Sequence, residues 1–264
     1  KYLRKIWKDN TEEERLLGVS LTGILDCPIL RPNNTNLKDT LEQLRTVAVE
    51  TNKKIAKDLG IPQSTAITCV KPSGTVSQLV DSASGIHARH NPFYVRTVRG
   101  DNKDPLTQFM QQVGIPIEPD MGKPDSVSVF SFPMKSPNGA VTRTEMTALE
   151  QLDYWLLFQR HWCEHKPSVT ISVKENEWMD VGAWVYKNFD EVSGISFLPF
   201  SDYTYQQAPY QDISEEEYNK LINKMPSRID WGMLKEFEKE DTTTGSKDLA
   251  CVAGACEIVD IEGR

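Results

Sequence analysis

The chain has 264 residues, 39% of them hydrophobic and 26% charged, with a formal net charge of -8. That length can bury one large core or two modest ones, no run approaches the roughly 18 apolar residues of a membrane span, and acidic residues spread along the chain, Glu12 and Glu262 among them, set up a field that repels a nucleic-acid backbone. Five cysteines, at 27, 69, 163, 251 and 256, are an odd and scattered set that argues against a secreted disulfide framework and for a reducing compartment, the cytoplasm by default.

The first residues, Lys1-Tyr2-Leu3-Arg4, lead into charged sequence instead of a signal-peptide core, and no initiator Met precedes them, so a piece of a longer protein is one expectation. Thr11-Glu12-Glu13-Glu14 has the form of a capping box and predicts a helix running through Leu16, Leu17 and Val19 to Gly23. Leu37, Leu41, Leu44, Ala48, Ile55 and Leu59 recur at near-helical spacing, with Gly60 and Pro62 as the stop. A strand over 66–70 follows, then further strands at 93–98, 127–132, 168–173 and 194–198, each bounded by Gly, Pro or Asn. Thr142 with Glu145 is expected to cap a long helix through Leu149, Leu152, Leu156 and Leu157 toward His161, and a shorter helix carries Trp178, Val181, Trp184 and Val185. Ser214-Glu215-Glu216-Glu217 is another capping box, opening a helix through Tyr218, Leu221 and Ile222. This alternation favours an α/β class with buried parallel strands and ligand sites at their carboxyl ends. Residues 241–248 hold no apolar side chain and read as a flexible linker, which divides the chain into a body, 1–240, and a tail, 241–264.

The most informative stretch is Ala66 to Ser77, where a β-branched run stops at Pro72-Ser73-Gly74-Thr75-Val76. Pro fits the first turn of a helix, Gly74 allows close approach of the backbone, and Ser73, Thr75 and Ser77 offer hydroxyls. A strand-turn-helix start of this kind suits a phosphate, although the G-x-x-x-x-G-K-[ST] spacing is absent, and an ordinary loop is the plainer alternative. Arg96, Arg99 and Lys71 are the nearest cations in sequence and are weighed as phosphate ligands against solvated strand residues. His87 and His90, beside Arg89, are candidates for the same strand ends or for a polar loop. His161 and His165, flanking Cys163, stand at a spacing that puts two imidazoles on one helix face, against the simpler reading of a helix end packed on a core. Cys69 sits where a nucleophile could, or packs in a strand; Cys27 and Cys163 carry no motif.

Cys251 and Cys256, a C-x-x-x-x-C pair separated by small residues and Gly254 beyond the linker, suit a thiol–disulfide relay, because a mobile tether lets a dithiol open, close and travel. Zinc is a rival that lacks a second ligand pair nearby, and an inert pair of thiols is the third possibility.

Taken together, Gly18-Val19-Ser20-Leu21-Thr22-Gly23, Cys69-Val70-Lys71-Pro72-Ser73-Gly74-Thr75, Gly85-Ile86-His87, Tyr94-Val95-Arg96-Thr97-Val98-Arg99, Ser168-Val169-Thr170, Gly194-Ile195-Ser196-Phe197-Leu198-Pro199, Ala208-Pro209-Tyr210 and the terminal cysteine pair resemble the C-terminal part of the adenosylcobalamin-dependent (class II) ribonucleotide reductases of the single-chain ribonucleoside-triphosphate type. The resemblance implies the later strands of a ten-stranded α/β barrel. It implies that Pro72, Ser73, Gly74, Thr75 and Val76 hold the phosphates of a ribonucleoside triphosphate. It further implies that Cys251 and Cys256 re-reduce an active-site disulfide and are themselves reduced by thioredoxin or a similar dithiol. In that family adenosylcobalamin generates a thiyl radical on a cysteine in an Asn-x-Cys-x-Glu motif; Cys27 is followed by Pro28-Ile29 and Cys69 by Val70-Lys71, so neither fits. The radical cysteine and most cobalamin contacts are therefore expected in an upstream part of the same enzyme, with no nucleic acid, membrane or metal as partner. A non-catalytic nucleotide-binding module that retains the fold is the alternative.

Overall fold

A computed structural model describes residues 4–74, 76–200 and 206–239. In chain order the elements are α1 (Lys5–Glu14), β1 (Val19–Ser20), α2 (Leu37–Leu59), β2 (Thr68–Cys69), α3 (Val76–Leu79), β3 (Phe93–Asp101), α4 (Pro105–Gln112), β4 (Ile117–Pro119), β5 (Val127–Lys135), α5 (Ala148–His161), β6 (Thr170–Val173), α6 (Trp178–Lys187), β7 (Ser196–Pro199), β8 (Tyr210–Asp212) and α7 (Glu215–Ile222). The described residues divide into two compact units, the first made of the chain up to Pro92 and again from Ser136 to residue 200, the second of Phe93–Lys135 and the residues from 206 on.

The first unit, up to Pro92 and again from Ser136, carries two helix-backed pairs of parallel strands. β1 pairs with β2 and β6 with β7, both in parallel. A bond from Ser168 N–H to Val70 O at 2.8 Å links the two pairs, which otherwise form separate two-stranded sheets. Beyond that bond β2 and β6 separate. Side chains take over the vacated edge of β6: Thr170 N–H donates to His87 Nε2 at 3.0 Å, and the Gln151 amide meets both Ser172 N–H and Ser172 O at 3.4 Å.

Behind these strands, α5 buries Leu152, Trp155, Leu156 and Phe158 against Val70, Ile171 and Val173, and α2 adds Leu37 and Leu41. Burying side chains of this size stabilises by about 1.5 to 3 kcal/mol each before entropy is counted. The helices stop and start where the sequence changes chemistry. α2 ends at Gly60, whose left-handed φ of 66° returns its N–H to Ala56 O and Lys57 O. α5 begins with a reciprocal capping box between Thr147 and Glu150.

The second unit is an antiparallel sheet in the order β4, β5, β3, β8, with β3 and β5 paired over their whole length from Phe93↔Lys135 to Asp101↔Val127. Phe109 of α4 is fully buried there, against Trp231 and Phe237, and Ser214 caps α7 as its sequence requires.

Several expectations need correction. Thr11 is not an N-cap: it lies inside α1 and its hydroxyl donates back to Trp7 O at 2.7 Å, while Arg15 caps the end of α1 in a left-handed conformation, residues 16–18 belong to no helix and Val19 enters a strand. Glu145 does bond Thr142 N–H and its hydroxyl, but this closes an isolated turn, and the cap of α5 is the next Thr-x-x-Glu along. The strands at 93–101 and 127–135 are antiparallel partners, because period-two hydrophobicity fixes the buried face and not the direction of pairing. Finally, α5 ends at His161, so His161 and His165 share no helix face; they contact Glu42 Oε1 and Leu17 O respectively.

Candidate functional site: a hydroxyl-lined turn after β2

The turn expected to hold phosphate lies at the carboxyl end of β2, where β2 and β6 part. Pro72 and Gly74 are exposed and Ser73 is half-buried. A Cβ built on Gly74 meets nothing within 4 Å, and among the described residues no acceptor receives its N–H. Thr75 lies outside the described residues. Ser77 turns away from solvent, both its N–H and its hydroxyl donating to Ser73 O.

A second loop frames this turn. Thr22, just past β1, sits 2.8 Å from Ser73 Oγ, accepts Gly85 N–H at 2.9 Å and donates to Ala83 O at 3.0 Å. Ser84 Oγ is 3.4 Å from Ser73 Oγ. Gly85 has a φ of 54°, a left-handed conformation that favours glycine, while a Cβ there would stand 3.4 Å from Lys71 O and Val70 Cγ1, so conformation more than space selects the residue.

What holds that loop is a buried guanidinium. Arg89, 3% exposed at its side chain, forks onto Asp26 with Nε at 3.1 Å from both carboxylate oxygens and Nη2 at 2.9 Å from Oδ2, and reaches Asp81 Oδ1 with Nη1 at 3.2 Å. Asp26 Oδ2 also accepts Ala83 N–H at 2.8 Å, and Asp81 is kept in a left-handed conformation with a φ of 46°. Loop residues 81–85 are thereby tied at both ends beside Ser73.

His87 continues the frame toward β6. Its Nδ1–H donates to Ser84 O at 3.0 Å and its Nε2 accepts Thr170 N–H, an arrangement that requires the neutral ring. Burial lowers its pKa below the usual histidine value, partly opposed by the bond to Ser84 O.

On the neighbouring side, Lys71 and Pro72 line a cavity of about 450 Å³ with Cys69, His165, Lys166 and Ser168. Burial raises the Cys69 thiol pKa, with the Ser20 hydrogen bond and Lys71 only partly offsetting it, which disfavours the thiolate that a nucleophile needs. Burial, with Cys69 nearby, pushes Cys163 up to about 12. Both remain thiols at neutral pH.

Of the other sequence candidates, Arg96 and Arg99 belong to the second unit and are engaged within it. Arg96 stacks over the Tyr210 ring at 4.4 Å and donates to Pro209 O; Arg99 donates to Asp120 Oδ1 at 2.7 Å, a bond that helps hold the Asp120 carboxyl below the usual range despite its desolvation. Among the described residues no group of three His, Cys, Asp or Glu side chains is placed to hold a metal. Cys251 and Cys256 lie outside the described residues. Thr22, Asp26, Ser84 and Arg89 were not marked as site residues by any local pattern; their approach reveals them, across 51 residues for Thr22 with Ser73, 63 for Asp26 with Arg89 and 11 for Ser84 with Ser73.

The fold of the chain is that of the class II ribonucleotide reductases: a crystal structure of a B-12 dependent (class II) ribonucleotide reductase superposes with a TM-score of 0.76 at 23% identity, over 88% of this chain and 36% of that one. In sequence the chain is similar to the adenosylcobalamin-dependent ribonucleoside-triphosphate reductases. It is 30% identical to that of Euglena gracilis over 84% of its own length and 31% of the relative's, and 30% identical to a probable one of Dictyostelium discoideum over 96% and 33%. The reductase of Lactobacillus leichmannii matches at 26% over 96% and 38%. The resemblance carried by the motifs is thus borne out, and the chain spans about a third of the length of these curated relatives. No family model matches it.

Adenosylcobalamin does not fit the two cavities that flank the turn after β2. The cavity beside Lys71 is of a size for part of a nucleotide, the one beside His87 is only about 100 Å³, and both ring nitrogens of His87 are already bonded. Neither cavity admits a corrin macrocycle.

Proposed function

We propose that the chain is the C-terminal portion of an adenosylcobalamin-dependent ribonucleoside-triphosphate reductase, located in the cytoplasm, and that it supplies the substrate phosphate loop and the reducing tail. The observation that carries this reading is the coincidence of a hydroxyl-framed turn at Pro72–Gly74, with Pro72 and Gly74 exposed, and similarity over nearly the whole chain to reductases of that name. On this reading β1, β2, β6 and β7 are later strands of a ten-stranded barrel, and an upstream part of the enzyme completes it, bringing the radical cysteine, the two cysteines that become oxidised and the cobalamin site.

The chain's own residues then have three tasks. Gly74 N–H and the Ser73 and Thr75 hydroxyls bind phosphate oxygens, since an exposed N–H beside hydroxyls satisfies an oxyanion without a buried cation. Lys71, at the start of the turn, adds a positive charge at the rim. Cys251 and Cys256 restore the active-site thiols after each turnover: one tail thiolate attacks the disulfide, the mixed disulfide resolves on the second, and the tail leaves oxidised, to be reduced by thioredoxin or a similar dithiol. When bound in the complete enzyme, adenosylcobalamin supplies the radical that starts the reaction.

Titration calorimetry of the whole chain with a ribonucleoside triphosphate tests the loop. Binding is expected, and Gly74→Val, which the open space around Gly74 accommodates, should weaken it with the fold intact. Undiminished binding by the folded variant would refute the phosphate role. The second reading, a non-catalytic nucleotide-binding module with the same fold, shares this result and separates from the first only in turnover.

A further inference from the structure

Counting the hydrogens around Thr22 leads beyond the loop itself, on the premise that the loop binds phosphate. A threonine hydroxyl has one proton and two lone pairs. Ala83 O can only accept, so the Thr22 proton points to it at 3.0 Å; Gly85 N–H can only donate, so it occupies one lone pair at 2.9 Å. With the Thr22 proton on Ala83 O, the contact to Ser73 Oγ at 2.8 Å uses the second lone pair, with Ser73 as donor, and Ser84 Oγ at 3.4 Å is the other hydroxyl in reach of Ser73. Ser73 has then spent its single proton inside the protein and offers an incoming oxyanion nothing to accept. Ala83 O, however, also receives Gly23 N–H at 2.8 Å, so it stays satisfied if the Thr22 proton leaves it.

We propose that Thr22 is a positioning residue that rearms Ser73 for a phosphate oxygen. As the anion arrives, the Ser73 proton swings from Thr22 to the phosphate, and the Thr22 proton swings from Ala83 O to Ser73 Oγ. No covalent bond changes and every proton stays on its own oxygen. The outcome is a directed chain, Gly85 N–H to Thr22 O–H to Ser73 O–H to phosphate, in which each donor polarises the next. The frame that makes the rotation possible is the loop tied down by Asp26 and Arg89, since Asp26 fixes Ala83 N–H and so the carbonyl that Thr22 releases. Thr22 is itself exposed, at the rim of the turn.

The test is calorimetric titration of the full chain with inorganic triphosphate, for wild type, Thr22→Val, Thr22→Ser, Ser73→Ala and the double variant Thr22→Val with Ser73→Ala. The near-isosteric Thr22→Val should weaken binding by about fivefold or more, and Thr22→Ser, which keeps the hydroxyl, should stay within about twofold of wild type. The double variant should bind no worse than Ser73→Ala alone, because the relay acts only through Ser73. If Thr22→Val does not fold, Thr22→Cys replaces it, with the same loss expected from a poorly bonding thiol. Wild-type affinity in the valine variant, with Ser73→Ala weakened, overturns the relay and leaves the phosphate loop standing. Absence of binding by wild type, or an unaffected Ser73→Ala, overturns the loop and the relay with it.

Discussion

Replacing Arg89 by Met should cost about 3 kcal/mol of stability, at the lower end of the range for breaking a buried pair. The guanidinium is 3% exposed and its partner Asp26 14%, so removing the cation leaves a largely desolvated carboxylate whose one remaining named donor is Ala83 N–H. Asp81 adds little, since its carboxylate is 66% exposed and water replaces the lost contact at less than about 1 kcal/mol. Asp81 is also freed from the contact that holds its left-handed backbone. Urea unfolding of the whole chain measures the loss. Amide exchange at Ala83 and Gly85 localises it, because those two groups hydrogen-bond Asp26 and Thr22. Pairing Arg89→Met with Asp26→Leu should cost less than the sum of the two single changes by about 1 kcal/mol or more. A single Arg89→Met that unfolds within about 0.5 kcal/mol of wild type, with exchange at Ala83 unchanged, would refute the claim that this pair holds the loop.

The remaining expectations concern protons and thiols. His87 has a folded pKa below its unfolded value of about 6.5, so the unfolded chain binds the extra proton first; the stabilisation is fully present above that pH and is lost as pH falls through the folded value. His87→Gln should flatten this acid limb of the stability profile, and a limb unaltered by the substitution would contradict the assignment. Native Cys69 and Cys163, raised by burial, should resist iodoacetamide at pH 8 until urea is added, and prompt labelling of either in the folded chain would show that the thiols are not desolvated. In the complete enzyme, changing Cys251 or Cys256 to Ser should abolish multiple turnovers driven by thioredoxin while a prereduced sample still completes one, and full turnover in the double variant would remove the relay role.

Much of this arrangement is written locally. The strand before Pro72 and its turn follow from a β-branched run that meets Pro, Ser and Gly, and α7 from Ser214 and Glu217. Other signals are local but ambiguous. Thr142-x-x-Glu145 and Thr147-x-x-Glu150 both fit a capping box, and only packing of Ala148 and Leu152 into the core decides that the helix starts at the second. The frame of the site is not local at all. Thr22 finds Ser73, Asp26 finds Arg89 and His87 finds Thr170 across 51, 63 and 83 residues, distances at which a single sequence carries no periodicity or spacing to read. Arg96 and Arg99 illustrate the converse: close to the turn in sequence, they are spent on Pro209 and Asp120 in the other unit.

The most direct measurement is deoxyribonucleotide formation by the chain joined to an upstream segment carrying Asn-x-Cys-x-Glu, assayed with a ribonucleoside triphosphate, adenosylcobalamin and a dithiol. A reductase portion should give deoxyribonucleoside triphosphate that depends on both polypeptide segments and falls with Gly74→Val. Triphosphate binding with no deoxyribonucleotide formed in the joined protein would contradict the account and leave the chain a binding module on a reductase fold.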